Sequence, residues 1–301
     1  MNAIIKHGVI NCCAWEIDDS WTLTIRPLEG TDGCLIKYRD IAWPWSGYSG
    51  QIKKVVIRDG VAAIGNISLM FAGMCECDVF DIAGMDVSHV GDVGNMFYKC
   101  SKLADLTPLA GWDTGQIEHM HAMFADCVGV TDVSPLDGWN VRRVNCMQAM
   151  FKGCVRLKDA SALKSWDVSA LRDAKYMFKN TAVKENPLDN MIPMACPREG
   201  EFVGWKKCRD ERVVKLKIPA DARRSSGFNK MCRCDKAEVM EIWGPGATEY
   251  GYAVSWVKPS FVYRKGEVVC APDFNEDRFI DMAEGIHFFM KRGDAETHEL
   301  L

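Results

Sequence analysis

The dipeptide Met-Phe occurs at Met70-Phe71, Met96-Phe97, Met123-Phe124, Met150-Phe151 and Met177-Phe178, at spacings of 26, 27, 27 and 27 residues. Trp112, Trp139 and Trp166 recur at the same interval of 27, and so do Cys100, Cys127 and Cys154. An Asp-Val pair or a close variant follows each Trp position, as in Trp166-Asp167-Val168. Several features holding one period confine the chain to a stacked repeat architecture. One unit of this size cannot cover its own apolar face. Neighbours stacked on it complete a continuous core. The Met-Phe pairs and the Trp residues therefore read as core, and the cysteines as a column running along the stack.

Within a unit, Val144, Met147, Met150 and Phe151 fall at i, i+3, i+6 and i+7, which predicts a short helix or 3₁₀ stretch with one apolar face. Leu103-Ala104-Asp105-Leu106, Val130-Thr131-Asp132-Val133 and Leu157-Lys158-Asp159-Ala160 follow it and predict a short strand or extended rung. A row of cysteines on successive rungs is a line, whereas a metal needs converging ligands. The repeat array is assigned to residues 67–185.

Residues 1–66 are expected to form a β cap and the lead into the first coil. Trp15-Glu16-Ile17 and Leu23-Thr24-Ile25 alternate around Asp18-Asp19-Ser20, and Ile52–Ile57 reads as a further strand. Trp43, Trp45 and Tyr48 offer either an aromatic binding patch or, the preferred reading, a plug for the coil end. Pro187, Pro193 and Pro197 break the period and mark a domain boundary.

The pattern Met-Phe-x-x-Cys, then Trp-Asp-Val, carried by Met96–Cys100, Met123–Cys127, Met150–Cys154 and Trp166-Asp167-Val168, resembles the BspA-type leucine-rich repeats of bacteria, the DUF285 repeat. With the lead-in, the likeness covers about residues 10–180. It implies a leucine-rich-repeat-type solenoid. Many relatives are surface proteins that resemble adhesins. Residues 1–8 lack a basic segment followed by an apolar run, so the chain is expected to stay in the cytoplasm. No stretch of 18 apolar residues occurs, and no membrane span is expected.

Residues 200–301 show no repeat. Val213–Ile218, Ala237–Trp243, Phe261-Val262-Tyr263, Glu267-Val268-Val269 and Ile286–Phe289 read as strands, and a terminal helix starts at Gly293 with Asp294 as its N-cap. That predicts an α+β domain with a mostly antiparallel sheet. Gly204-Trp205-Lys206-Lys207-Cys208, Ile218–Ser226, Lys230–Cys234 and Gly285–Phe289 resemble DUF5758, a domain found after repeats in bacterial and viral proteins. The resemblance brings no activity and implies a phage, prophage or mobile-element setting.

His287 is the strongest candidate acid or base, with Cys208 as a nucleophile to pair with it. A histidine on an apolar strand is more often a hydrogen-bonded structural residue. Cys208, Cys232, Cys234 and Cys270 with His287 could supply a zinc site, but Cys-x-Cys without a second tight pair is a weak signal. Lys206, Arg223, Arg224 and Ser225 could bind a phosphate through cations and loop amides. A cleft uniting Lys206, Cys208, Arg223 and His287 would favour a catalytic or ligand-binding module carried by the solenoid.

The net charge of −4 gives no pull toward nucleic acid or anionic membrane. Residues 206–236 hold 11 basic and 4 acidic groups, and residues 237–301 hold 6 and 12, so the two stretches are expected to face each other. The leading expectation is a non-catalytic interaction protein with a protein partner, no cofactor and no metal. Its solenoid surface would contact that partner through His119, Arg142, Arg143, Arg172 and Lys175, a host protein being the target in a mobile-element setting. A surface adhesin is a further alternative.

Overall fold

A computed structural model describes residues 2–37, 41–228, 230–280 and 282–298. The chain divides into two compact units, Met1–Ile192 and Pro193–Leu301. It is mostly β. The described residues hold one α-helix, Arg292–Thr297, and five short 3₁₀ stretches. None of the helices is long and apolar enough to cross a membrane.

The first unit opens with β1 (Ile4–Ile10), β2 (Cys13–Asp18), β3 (Thr22–Pro27), β4 (Cys34–Ile36), β5 (Lys54–Ile57), β6 (Ala62–Asn66), β7 (Val79–Asp81) and β8 (Asp86–Asp92). They form two sheets, β1-β2-β3-β5-β7 and β4-β6-β8. The β2–β3 hairpin is antiparallel, and the β3–β5 and β5–β7 pairs are parallel. Asp18 turns the hairpin by accepting the backbone N–H groups of Ser20 and Thr22 at 3.0 and 2.9 Å. Trp43 and Trp45 are buried and stacked at 5.2 Å. Their indole N–H groups donate to the carbonyls of Ser68 and Met70. They plug the coil end, and Tyr48 is only half-buried.

The repeats pile up in register. The rings of Phe97, Phe124, Phe151 and Phe178 stand in one file, with centroids 5.5, 5.5 and 5.6 Å apart and nearly parallel planes. Trp112, Trp139 and Trp166 make a second file at 6.5 Å. Each rung bonds to the next through alternate amides: the N–H groups of Val93, Asn95, Phe97 and Lys99 donate to the carbonyls of His119, His121, Met123 and Ala125. The intervening amides of Met96, Tyr98 and Cys100 close turns within their own rung. The Gly94 N–H donates to the Asp92 carboxylate at 2.7 Å, which completes the backbone donors from Val93 to Cys100.

The Met-Phe segment is therefore a ribbon of turns, and neither the short helix nor the continuous 3₁₀ stretch expected from its spacing. Residues in left-handed conformation flank each pair: Asn95 and Lys99, Ala122 and Asp126, Ala149 and Gly153, Tyr176 and Asn180. A right-handed helix cannot contain them. They are the φ > 0 positions of tight turns, and they let two successive side chains both face inward, which a flat strand forbids. The expected rungs at Leu103–Leu106, Val130–Val133 and Leu157–Ala160 form no ladder. They lead into 3₁₀ stretches at Thr107–Leu109, Ser134–Leu136 and Ser161–Ser165. Asp105, Asp132 and Asp159 start these turns, each accepting the N–H two residues on at 2.8 Å.

Two side-chain columns also reach back one rung. The thiols of Cys100, Cys127 and Cys154 donate to the carbonyls of Phe71, Phe97 and Phe124 at 3.1, 2.9 and 3.1 Å. The indoles of Trp139 and Trp166 donate to Leu109 and Leu136, each at 2.9 Å.

The second unit holds β9 (Phe202–Lys207), β10 (Val213–Ile218), β11 (Arg224–Ser226), β12 (Met231–Cys234), β13 (Lys236–Trp243), β14 (Tyr252–Val254), β15 (Val262–Arg264), β16 (Val268–Cys270), β17 (Ile286–Phe289) and the helix α1 (Arg292–Thr297). Seven strands form one antiparallel sheet ordered β11-β12-β17-β9-β10-β13-β16, and β14–β15 is a separate hairpin. Leu216, Ile218, Val239, Ile242 and Phe288 lie in its core. Gly204 is required there, because a Cβ would meet the Phe288 ring at 2.5 Å. Helix α1 starts one residue earlier than expected. Its N-cap is Lys291, and Asp294 sits in the first turn and pairs with Lys230 at 2.9 Å.

Phe124 lies between two rings of the file. Phe124→Ala is expected to cost about 3–5 kcal/mol, through lost transfer energy and the cavity left behind. Lys152→Ala, at an exposed position of the same repeat, should stay within about 0.5 kcal/mol. Urea unfolding of the full chain measures both, and equal small losses would contradict the stacking.

Candidate functional site

Strand β9 carries Lys206 and pairs along β10, with Lys206 opposite Val214. On its other side β9 meets β17, which carries His287. The Lys206 amine donates to the His287 backbone carbonyl at 3.2 Å and lies 5.9 Å from the Tyr263 ring. Lys206 and His287 line one cavity of about 290 Å³, whose walls also include Ser255, Lys258, Phe261 and Tyr263. Asp273, Met282 and Glu284 line it too. Burial pushes the Lys206 pKa below its ordinary value, with nearby Cys208 and Cys234 opposing the shift more weakly. Burial holds the Tyr263 phenol well above its ordinary range. The arrangement offers a desolvated amine and a histidine to a small group bearing a carboxylate or carbonyl.

The other candidates do not join this cavity. Cys208 is fully buried, and burial pushes its thiol up to about 11. A nucleophilic cysteine needs a depressed pKa, so Cys208 is no activated nucleophile. Arg224 donates to four backbone carbonyls, of Ala222, Gly200, Pro219 and Ala220, at 2.7 to 3.0 Å. Ser225 donates its hydroxyl to the Glu276 carbonyl at 3.0 Å. Arg223 pairs with Asp235 at 3.0 Å and Glu276 at 3.5 Å. These donors tie the β11 loop to the rest of the unit, and the expected phosphate loop is engaged within the fold. The basic stretch faces the acidic one as expected, through Lys215–Glu241, Lys217–Glu238 and Arg223–Glu276.

In the repeats, His119 is half-buried in a column of parallel bridges, Asp92–His119–Cys146–Asp173. Arg142 and Arg143 precede Cys146 by four and three residues, Arg172 precedes Asp173, and Lys175 follows it by two. Arg142 and Arg143 lie in the turn that leads to the Cys146 bridge, and Arg172 and Lys175 flank the Asp173 bridge. Arg142, Arg143 and Arg172 are exposed, and Lys175 is half-buried. Arg142 lies 3.7 Å from Asp167, and Arg143 donates to Gln116 one rung back. All fourteen cysteines are free thiols.

Sequence reasoning missed Ser255, Lys258, Phe261, Tyr263 and Glu284, because the β14–β15 hairpin and the loop before β17 carry them and neither bears a motif. The signal available was Gly204-Trp205-Lys206-Lys207, a lysine pair on a strand with a glycine packing site.

Comparison with known families agrees with this division. Residues 65–191 match a family model described as Mycoplasma protein of unknown function, DUF285, and residues 192–295 match a family of unknown function, DUF5758. The chain pairs a DUF285 repeat array with a DUF5758 domain. No curated protein and no solved structure matches it. The cavity lies within the DUF5758 domain, and the bridge column within the DUF285 array.

The Lys206 shift has a definite sign. Between its lowered folded pKa and 10.5, the unfolded chain holds a proton that the folded DUF5758 domain does not. Stability contributed by this group therefore rises with pH across that window. Lys206→Met should remove the rise without lowering stability at neutral pH. Denaturant unfolding of both proteins from neutrality upward tests this, and parallel pH curves would contradict it.

Proposed function

We propose that the DUF285 array is a leucine-rich-repeat-type solenoid serving as a non-catalytic scaffold for a protein partner. The observation that carries this reading is the separation of duties within each rung. Met, Phe, Cys, Leu and Trp turn inward, whereas Arg142, Arg143 and Arg172 stand outside with no core role. A regular strip of exchangeable side chains on a rigid stack suits recognition by area and shape. Compensation of the basic stretch within the DUF5758 domain argues for a protein partner over nucleic acid. The thiol column donates hydrogen bonds only while reduced, which favours a reducing, cytoplasmic setting. A host protein as the target of a mobile-element chain rests on family likeness.

A second reading assigns the DUF5758 cavity to a small ligand carrying a carboxylate or carbonyl, with the array as its targeting arm. The meeting of Lys206 and His287 in one cavity favours it.

Affinity capture from the source cells separates the two. The triple variant Arg142→Glu, Arg143→Glu, Arg172→Glu should lose the partner while keeping the wild-type circular dichroism spectrum. Retention by the triple variant, with loss in Lys206→Met, would overturn the first reading in favour of the second.

A further inference from the structure

Cys12, Asp32 and Cys34 bring their ligand atoms within 4.8 Å of one another. The two sulfur atoms are 3.1 Å apart. Cys12 lies between β1 and β2, and Cys34 opens β4, so the pair spans segments 22 residues apart. The backbone holds them before any ligand arrives. The Cys12 N–H donates to the Cys34 carbonyl at 3.2 Å, and the Ile36 N–H donates to Asn11 Oδ1 at 2.8 Å. The Thr31 hydroxyl donates to the Cys12 carbonyl at 3.1 Å. Asp32 is oriented by the Cys34 N–H, which donates to its Oδ1 at 3.2 Å. Gly33 allows the close approach, since a Cβ there would lie 1.9 Å from the Gly60 carbonyl oxygen.

We propose that Cys12, Asp32 and Cys34 form a zinc site that staples the start of β4 to the β1–β2 turn. Zinc bonds of about 2.3 Å to sulfur and about 2.0–2.2 Å to oxygen place tetrahedral ligands about 3.6–3.8 Å apart. The sulfur atoms need to open by roughly 0.7 Å to reach that spacing. Two thiolates with one carboxylate suit a borderline-soft divalent ion better than calcium or magnesium. Cys13 is no fourth ligand, because its thiol is buried and donates to the Gly33 carbonyl at 3.2 Å. Water fills the fourth position, and the ion reaches the site past exposed Asp32 and half-buried Cys12 and Cys34. Binding releases the thiol protons of Cys12 and Cys34 to solvent as two S–Zn bonds form.

The test uses the full chain, reduced with a phosphine, stripped with chelator, and titrated with Co²⁺ and then Zn²⁺. The expected result is one equivalent of Co²⁺ giving a thiolate-to-cobalt charge-transfer band and tetrahedral visible bands, which Zn²⁺ abolishes. Cys12→Ser and Cys34→Ser should lose the band, and Cys146→Ser should keep it. Asp32→Asn keeps both thiols and an Oδ1 acceptor for the Cys34 N–H, and should weaken binding at least about 10-fold. Absence of the band, or its survival in Cys12→Ser, overturns the site. So does a reduced chain that takes up no cobalt but forms a Cys12–Cys34 disulfide in air.

Discussion

The structure of the first unit depends on backbone hydrogen bonds that leave one rung and land on the next, 26 residues on in chain order between these rungs. Phe97 N–H to the Met123 carbonyl is the type case, at 2.9 Å. That bond sets the separation between coils, and the separation sets everything stacked upon it. Phenyl rings with centroids 5.5 Å apart and near-parallel planes shield one another from water, and a burial of this kind is worth about 1.5–3 kcal/mol per ring. The thiol and indole columns obey the same geometry, since each donor reaches a carbonyl one rung back. The Trp column has one exception, at its start. Trp112 is its first member, and its buried indole N–H has no acceptor. Stability in such a stack is close to a sum of nearest-neighbour terms, so end coils are weaker than middle ones. The Trp43–Trp45 plug covers one such end.

The period, the inward side chains and the cap were legible because each is written as a repeated residue type. Met150-Phe151, Cys154 and Trp166 advertise burial wherever the backbone goes. The conformation between them was not legible. Val144, Met147, Met150 and Phe151 have helical spacing, yet the chain turns left-handed at Ala149 and Gly153. Of these two only the glycine is a signal. Ala122, Lys99 and Tyr176 occupy the same conformation in other coils, and the N–H groups of Ala122 and Lys99 bond to Gln148 and Ala125, a whole repeat away. Local propensity carries no record of such distant bonds.

The second unit divides the same way. Its long strands Val213–Ile218 and Lys236–Trp243 were visible as β-rich runs. Strand β9 was not, because Gly204 and two lysines dilute its pattern. The arginines near β11 looked like an anion site. In the structure the Arg224 guanidinium spends its donors on backbone carbonyls, those of Pro219 and Ala220 among them. A sequence shows a cation, whereas only the fold shows whether its donors are free. The cysteines teach a related lesson. Cys127 and Cys208 are buried, their thiols pushed upward by desolvation, and they act as small packing groups. Cys12 and Cys34 carry no motif spacing and meet only because β4 returns past the β1–β2 turn.

Native-state hydrogen exchange on the full chain tests the central claim most directly. If rungs hold one another, the amides of Phe97, Phe124 and Phe151 exchange slowly, and those of the middle coils share one opening energy. Amides at exposed turn positions between coils, such as Gly138, exchange fast. Slow exchange confined to the β1–β3 cap, with the three Phe amides exchanging quickly and at unrelated rates, would show that the coils do not support each other.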